Sequence, residues 1–197
     1  MKKIILASAS PRRRELLTQI GISFTVQKAE KEENATSSVP SEAVQELALQ
    51  KAREISETHQ AEVIIGADTI VAANGQILGK PKDAEDAMQM LRMLQGSSHE
   101  VITGVAVLLN NGEKLIQFAE VTKVHVFPMT ETQIQEYVNS GEPMDKAGSY
   151  GIQGSFAAYI SGIEGDYNNV VGLPVGRLYQ EVLAAGVDLR DNREETL

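Results

Sequence analysis

Hydrophobic positions recur along this chain in two alternating periods, and each change of period marks a change of element. A short apolar run at Lys3–Ala7 predicts a strand, after which Leu16, Leu17 and Ile20 recur at helical spacing behind Ser10 and Pro11. Serine suits an N-cap, and proline suits the first helical turn, where its missing N–H has no partner to lose. Residues 22–28 predict a second strand, followed by an acidic, serine-rich segment to about Val39 and a helix from Pro40 to Glu57. Val63 to Ala72 is an apolar strand that reverses at Asn74-Gly75, the sequence of a type I′ hairpin. Asp83 caps a helix that runs to Gln95 and stops at Gly96. Two long runs, HEVITGVAVLL and EKLIQFAEVTKVHVF, flank NNG and predict a second hairpin. Thr130 and Gln133 make a capping box with Met129 and Ile134 as its hydrophobic staple, and Gly141 ends that helix. The glycine-rich stretch from Gly148 to Gly172 carries one strand near Phe156–Ser161, and a last helix begins near Pro174. No linker, repeat or low-complexity block interrupts the pattern. It predicts one domain over residues 1–197, of α/β or α+β class with a mixed sheet, and a charged, frayed tail from about residue 189.

Composition narrows the function classes. With 42% hydrophobic and 23% charged residues, the 197-residue chain has room for a substantial core. Its net charge of −9 argues against binding a nucleic-acid backbone or an anionic membrane. Five tyrosines and four phenylalanines, unclustered in sequence, offer no platform for stacking bases of a nucleic acid. The absence of cysteine excludes disulfides, thiolate catalysis and zinc–thiolate sites. MKKIILASAS imitates an export signal, but its apolar run is too short and a proline and three arginines follow at once. No stretch approaches transmembrane length. The expectation is a soluble, cytoplasmic protein.

Three charged positions contradict the periodicity around them. Arg12, Arg13 and Arg14 sit on a helix N-terminus, which already carries partial positive charge. On a helical wheel Arg14 points away, Arg12 flanks the Leu16/Leu17/Ile20 stripe and Arg13 lies in its middle. A guanidinium aimed inward asks for an anion, and a strand, a serine-rich turn and a helix N-terminus offer N–H groups to a phosphate. Lys51 falls at the centre of the Val44/Leu47/Ala48/Ile55 stripe, where an ion pair with a core carboxylate and ligand binding are equally good accounts. Asp68 stands inside VIIGADTIVA, and a carboxylate there must be paired, bound to metal or shifted in pKa. Gly66 and Ala67 leave room for something to approach the backbone beside it. Together the charges point to phosphate chemistry with a divalent metal.

Five ordered segments, LASASPRRRELL, GADTIV, LGKP, EPMDKAGSYGIQG and VVGLPV, resemble the motifs of the Maf family of nucleoside triphosphate pyrophosphatases over nearly the whole chain. The resemblance implies a Maf/Ham1-like (ITPase-like) α/β fold, with a curved mixed β-sheet, flanking helices and a cleft between two lobes. It implies a hydrolase acting on acid anhydrides, which cuts a nucleoside triphosphate to monophosphate and pyrophosphate with Mg²⁺ or Mn²⁺. Thr69 after Asp68, and YGIQG later, are similar to the branch acting on dTTP, UTP and modified pyrimidine nucleotides. It implies that Ser8, Arg13, Lys51 and Lys80 hold the triphosphate, that Arg12, Thr69 and Gln153 read the base, and that Glu33 with Asp68 holds the metal. Asp68 is implied as the general base, though a metal-ligand role would leave it equally essential. The acidic motif reads AEKEEN here, so Glu32 stays open beside Glu33. Tyr150 and Gly151 are candidates for the wall of the base pocket. Adjacent residues of a regular strand face opposite ways, so either the strand bends or ends at Gly66–Asp68, with a bend expected, or Thr69 reaches the base through its backbone or the pocket rim. The family also takes its name from septum formation, which leaves a nucleotide-sensing division regulator as the alternative to an enzyme of nucleotide-pool sanitation. The expected partners are the nucleotide and, through an exposed apolar face, a second copy of the chain, with no nucleic acid and no membrane.

Overall fold

The computed structural model of the chain describes residues 2–31 and 34–191. Seven strands and six helices alternate in it. They are β1 Ile4–Leu6, α1 Pro11–Gln19, β2 Thr25–Val26, α2 Pro40–Thr58, β3 Val63–Ala73, β4 Gln76–Leu78 and α3 Ala84–Leu94. Then come β5 Ser98–Leu109, β6 Lys114–Val126, α4 Glu131–Asn139, β7 Ile160–Glu164, α5 Tyr167–Val171 and α6 Val175–Ala184. The strand order is β2-β1-β3-β5-β6-β7, with β4 paired to β3. β1 runs parallel to both β2 and β3, whereas the β3–β4 and β6–β7 pairs are antiparallel. The mixed α/β class read from the pattern is therefore the class observed. No helix among the described residues is long and apolar enough to cross a membrane.

The chain divides into two compact units. The first comprises Met1–Asp68, Thr103–Glu120 and Gly172–Leu197. Its core gathers Ile5 and Ala7, Ala48, Ala52 and Ile55 of α2, Ile64 of β3, and Ala106 and Leu108 of β5. Small residues bring α2 down onto the strands. A Cβ on Gly66 would lie 2.2 Å from the Ala48 carbonyl oxygen, and one on Gly104 would lie 2.3 Å from the Val44 carbonyl. The space that Gly66 leaves is taken by helix backbone. The second unit comprises Thr69–Ile102 and Val121–Val171. Its core packs α3 (Met90, Leu91, Leu94) and α4 (Ile134, Tyr137, Val138) with Val124, Val126, Tyr150 and Phe156.

Local signals account for most boundaries. Asn74 and Gly75 take φ of 51° and 73°, the left-handed pair that a type I′ turn requires. Asp83 accepts a hydrogen bond from the Asp86 N–H, and the Thr130–Gln133 capping box closes in both directions. Three expectations are corrected. Ser10 occupies the N-cap of α1 but caps with no side-chain bond; its own N–H donates to Ser8 Oγ at 3.3 Å. β2 keeps only two residues of the predicted seven-residue strand because it is an edge, paired on one side by Ile5 and Leu6. The predicted strand at 156–161 is a 3-10 turn over Ser155–Tyr159, with the strand starting at Ile160. Phe156 turns inward there, its ring 4.7 Å from that of Tyr150 and 5.1 Å from that of Tyr137. The pattern also missed α5, which follows Asp166, whose carboxylate accepts from the Asn168 N–H at 2.8 Å.

Candidate active site

The first unit links four of the sequence-derived candidates, Ser8, Arg13, Lys51 and Asp68, from three parts of the chain: the turn into α1, α2 and β3. Arg13 is 8% exposed on the inward face of α1, as the helical wheel requires, while Arg14 is exposed and Arg12 half-buried. Three of its hydrogen bonds go to neutral oxygens. Nε donates to the Gly172 carbonyl at 2.8 Å, and Nη1 donates to the Ala67 carbonyl at 2.8 Å and to Ser8 Oγ at 3.1 Å. Burial of this guanidinium is thus satisfied by the protein itself, and the fork ties the turn after β1 to β3 and to the segment before α6. Gly172, at φ 127°, is the residue that permits its end of this arrangement. Its place in the middle of VVGLPV was the only signal in the sequence.

One residue beyond Ala67, Asp68 meets Lys51. The Lys51 ammonium donates to Asp68 Oδ1 at 2.5 Å, with the two side chains 13% and 18% exposed. Two charges that each contradicted their own apolar stripe are therefore partners, one from α2 and one from β3. Half-burial strengthens such a charge-assisted bond while leaving the carboxylate accessible.

β3 does not end at Asp68. It runs unbroken from Val63 to Ala73, and Asp68 and Thr69 are both half-buried between buried stretches on either side. The two residues lie between the stretch paired to β1, which ends at Ile65, and the stretch paired to β4, which begins at Val71. Thr69, Lys80, Tyr150, Gly151 and Gln153 fall in the second unit. Lys80 is exposed, on a segment pinned by the Gly148 N–H donating to the Gly79 carbonyl at 3.0 Å. Gln153 is exposed on a turn. Tyr150 is buried behind that turn, its hydroxyl 2.7 Å from His99 Nε2. Glu32 and Glu33 lie outside the described residues. Among the described residues no group of three metal-ligating side chains gathers in one place.

Comparisons with known proteins agree with the motifs. The family model described as Maf-like protein matches residues 3–185. A dTTP/UTP pyrophosphatase of Agathobacter rectalis is 53% identical over 207 residues, covering 96% of this chain and 100% of the relative. One from Lachnoclostridium phytofermentans is 49% identical, covering 96% of this chain and 98% of the relative. One from Symbiobacterium thermophilum is 51% identical, covering 94% and 95%. The solved structure of the Staphylococcus aureus Ham1 protein superposes with a TM-score of 0.47 at 15% identity, over 64% of this chain and 72% of that one.

Proposed function

The chain belongs to the family of Maf-like proteins, and on that premise we propose that it is a nucleoside triphosphate pyrophosphatase, cleaving dTTP and UTP to the monophosphate and pyrophosphate. The observation that carries the reading is the half-buried Asp68 carboxylate held at 2.5 Å by Lys51. Lys51 fixes one oxygen, Oδ1, and Oδ2 is left to meet a water molecule. Water attacks the α-phosphorus, Asp68 takes its proton, and the bond from the α-phosphorus to the bridging oxygen breaks to release pyrophosphate. Cations beside the departing group offset the charge that develops on it, a role for Lys51 and Arg13 within the first unit. The roles of Ser8 and Lys80 in holding phosphates, and of Arg12, Thr69 and Gln153 in reading the base, rest on the family motifs.

A divalent cation fits this donor set. Mg²⁺ and Mn²⁺ favour carboxylate oxygen and are commonly held by one or two carboxylates together with substrate phosphates, so no cage of three protein ligands is needed. Asp68 and Glu33 are the residues that would hold it. When bound, the ion polarises the phosphoryl oxygens and neutralises charge. The cytoplasm is the proposed location, in keeping with a nucleotide substrate.

A panel of nucleoside triphosphates, assayed with Mg²⁺ or Mn²⁺ and with separate detection of pyrophosphate and orthophosphate, tests the proposal. dTTP and UTP should rank first and release pyrophosphate alone. Asp68→Asn should lower turnover by at least about 100-fold in a folded protein, whether the carboxylate is base or metal ligand. Tight nucleotide binding without turnover by the unaltered chain would instead favour a nucleotide sensor.

A further inference from the structure

Gln153 is carried by a turn of four residues, Gly151, Ile152, Gln153 and Gly154, closed by the Gly154 N–H donating to the Gly151 carbonyl at 3.1 Å. Both ends of this turn lead to one carboxylate. Glu142 Oε2 accepts from the Ser155 N–H at 3.0 Å and from the Ser155 hydroxyl at 2.8 Å. Glu142 Oε1 accepts from the Tyr137 hydroxyl at 2.9 Å, and that hydroxyl accepts from the Gly151 N–H at 3.3 Å. One end is held directly and the other through Tyr137.

The support is itself fixed. Lys146 Nζ donates to the Glu142 carbonyl at 2.6 Å and to Asp145 Oδ1 at 2.7 Å. The Tyr137 ring packs on Phe156 within the core of the second unit. Burial opposes ionisation of Glu142, but the Ser155 N–H and hydroxyl, the Tyr137 hydroxyl and Lys146 outweigh it and hold the carboxyl below its ordinary range. Both glycines of the turn lie close over the side chains beneath them. A Cβ on Gly154 would lie 2.0 Å from Glu142 Oε1, and one on Gly151 would lie 2.6 Å from Lys146 Cε. Gly154 has φ −96°, so its backbone conformation alone would accept a side chain. The turn is seated on the carboxylate, with Gln153 exposed at its crown.

We propose that Glu142 is a positioning residue for base selection, which with Tyr137 straps down the turn that presents Gln153. This rests on the base-reading role proposed above for Gln153. A primary amide distinguishes uracil and thymine from cytosine only while its donor and acceptor stay in place, because cytosine presents the reverse order. Holding the turn at both ends supplies that constraint without Glu142 touching the nucleotide.

The test uses the full-length chain and Glu142→Gln, which keeps the size but replaces one acceptor oxygen with a donor, so Tyr137 or Ser155 loses its acceptor. Tyr137→Phe is the second variant, removing only the relay to Gly151. Amide exchange at Gly151 and Ser155 reads the strap, and the ratio of kcat/KM for dTTP over dCTP reads base selection. Exchange at Ser155 or at Gly151 should rise in Glu142→Gln, and exchange at Gly151 in Tyr137→Phe. The dTTP preference should fall by about 10-fold in Glu142→Gln. In the Gln153→Ala background the same change should have no further effect, because the two residues act as one unit. Unchanged exchange, or a further fall in the double variant, would overturn the proposal. If Gln153→Ala loses base preference and Glu142→Gln does not, positioning is wrong while base reading stands. If exchange rises but Gln153→Ala keeps the wild-type preference, the base-reading role fails and takes the proposal with it. Should Glu142→Gln not fold, Tyr137→Phe decides through Gly151 exchange and the same ratio.

Discussion

Arg13 and Arg14 are adjacent residues with opposite surroundings. Arg14 is exposed, whereas the Arg13 guanidinium serves carbonyl oxygens 54 and 159 residues away in the chain. Arg13→Ala removes those donors from the buried Ala67 and Gly172 carbonyls, and each lost donor costs about 1–3 kcal/mol. We expect a loss of about 2–5 kcal/mol, seen as a fall in Tm of roughly 5–15 °C for a chain of this size. Arg14→Ala should stay within about 0.5 kcal/mol of wild type. Thermal melting with and without a triphosphate separates the roles: an unchanged Tm with lost nucleotide binding would make Arg13 a ligand residue alone. His99 offers a second test at this scale. It is 3% exposed, with Nε2 on the Tyr150 hydroxyl and no partner at Nδ1. Burial, and then the charge of His125, push its pKa from 6.5 down to about 4. The unfolded chain therefore takes up this proton first. The contribution to stability is complete above pH 6.5, is lost as the pH falls from 6.5 to 4, and is worth about 3 kcal/mol in all. Urea unfolding between pH 7 and pH 4 should show that loss in wild type and a shallower one in His99→Gln; equal slopes would contradict it.

At the scale of elements, α2 and β3 form the joint that sets Lys51 against Asp68. Gly66 lies two residues before Asp68 and admits the Ala48 carbonyl of α2, the helix that carries Lys51 three residues later. Gly66→Ala should cost about 1–3 kcal/mol through overpacking. It should also lower kcat at temperatures where the variant remains folded, because the helix must shift with its lysine. Melting and kinetics on one sample check this, and a normal kcat would show that the ion pair tolerates the shift. This joint also shows what could be read from the chain. Gly66 signalled a close approach, and Lys51 and Asp68 stood out because each broke a clear apolar period. That they are each other's partner could not be read, because periodicity says which way a side chain faces and nothing of what it meets. The same limit hid the carbonyl partners of Arg13 and the strap beneath Gln153, which are tertiary hydrogen bonds. Long amphipathic elements such as α2 and the capping box of α4 were legible because local chemistry and burial agree there. The stretch at 156–161 was misread because aromatic packing of Phe156 overrode its strand-like composition.

At the scale of the whole molecule, a chain of net charge −9 is proposed to bind a polyanion. Charges more than about 10 Å away are largely screened at 0.1 M salt, so the cations near Asp68 outweigh the distant carboxylates. What those cations stabilise depends on which phosphorus is attacked. Hydrolysis of dTTP in H₂¹⁸O, with mass spectrometry of both products, reads that directly. Attack at the α-phosphorus beside Asp68 places one ¹⁸O in the monophosphate and none in the pyrophosphate. Label in the pyrophosphate, or release of orthophosphate and a nucleoside diphosphate, would contradict the account.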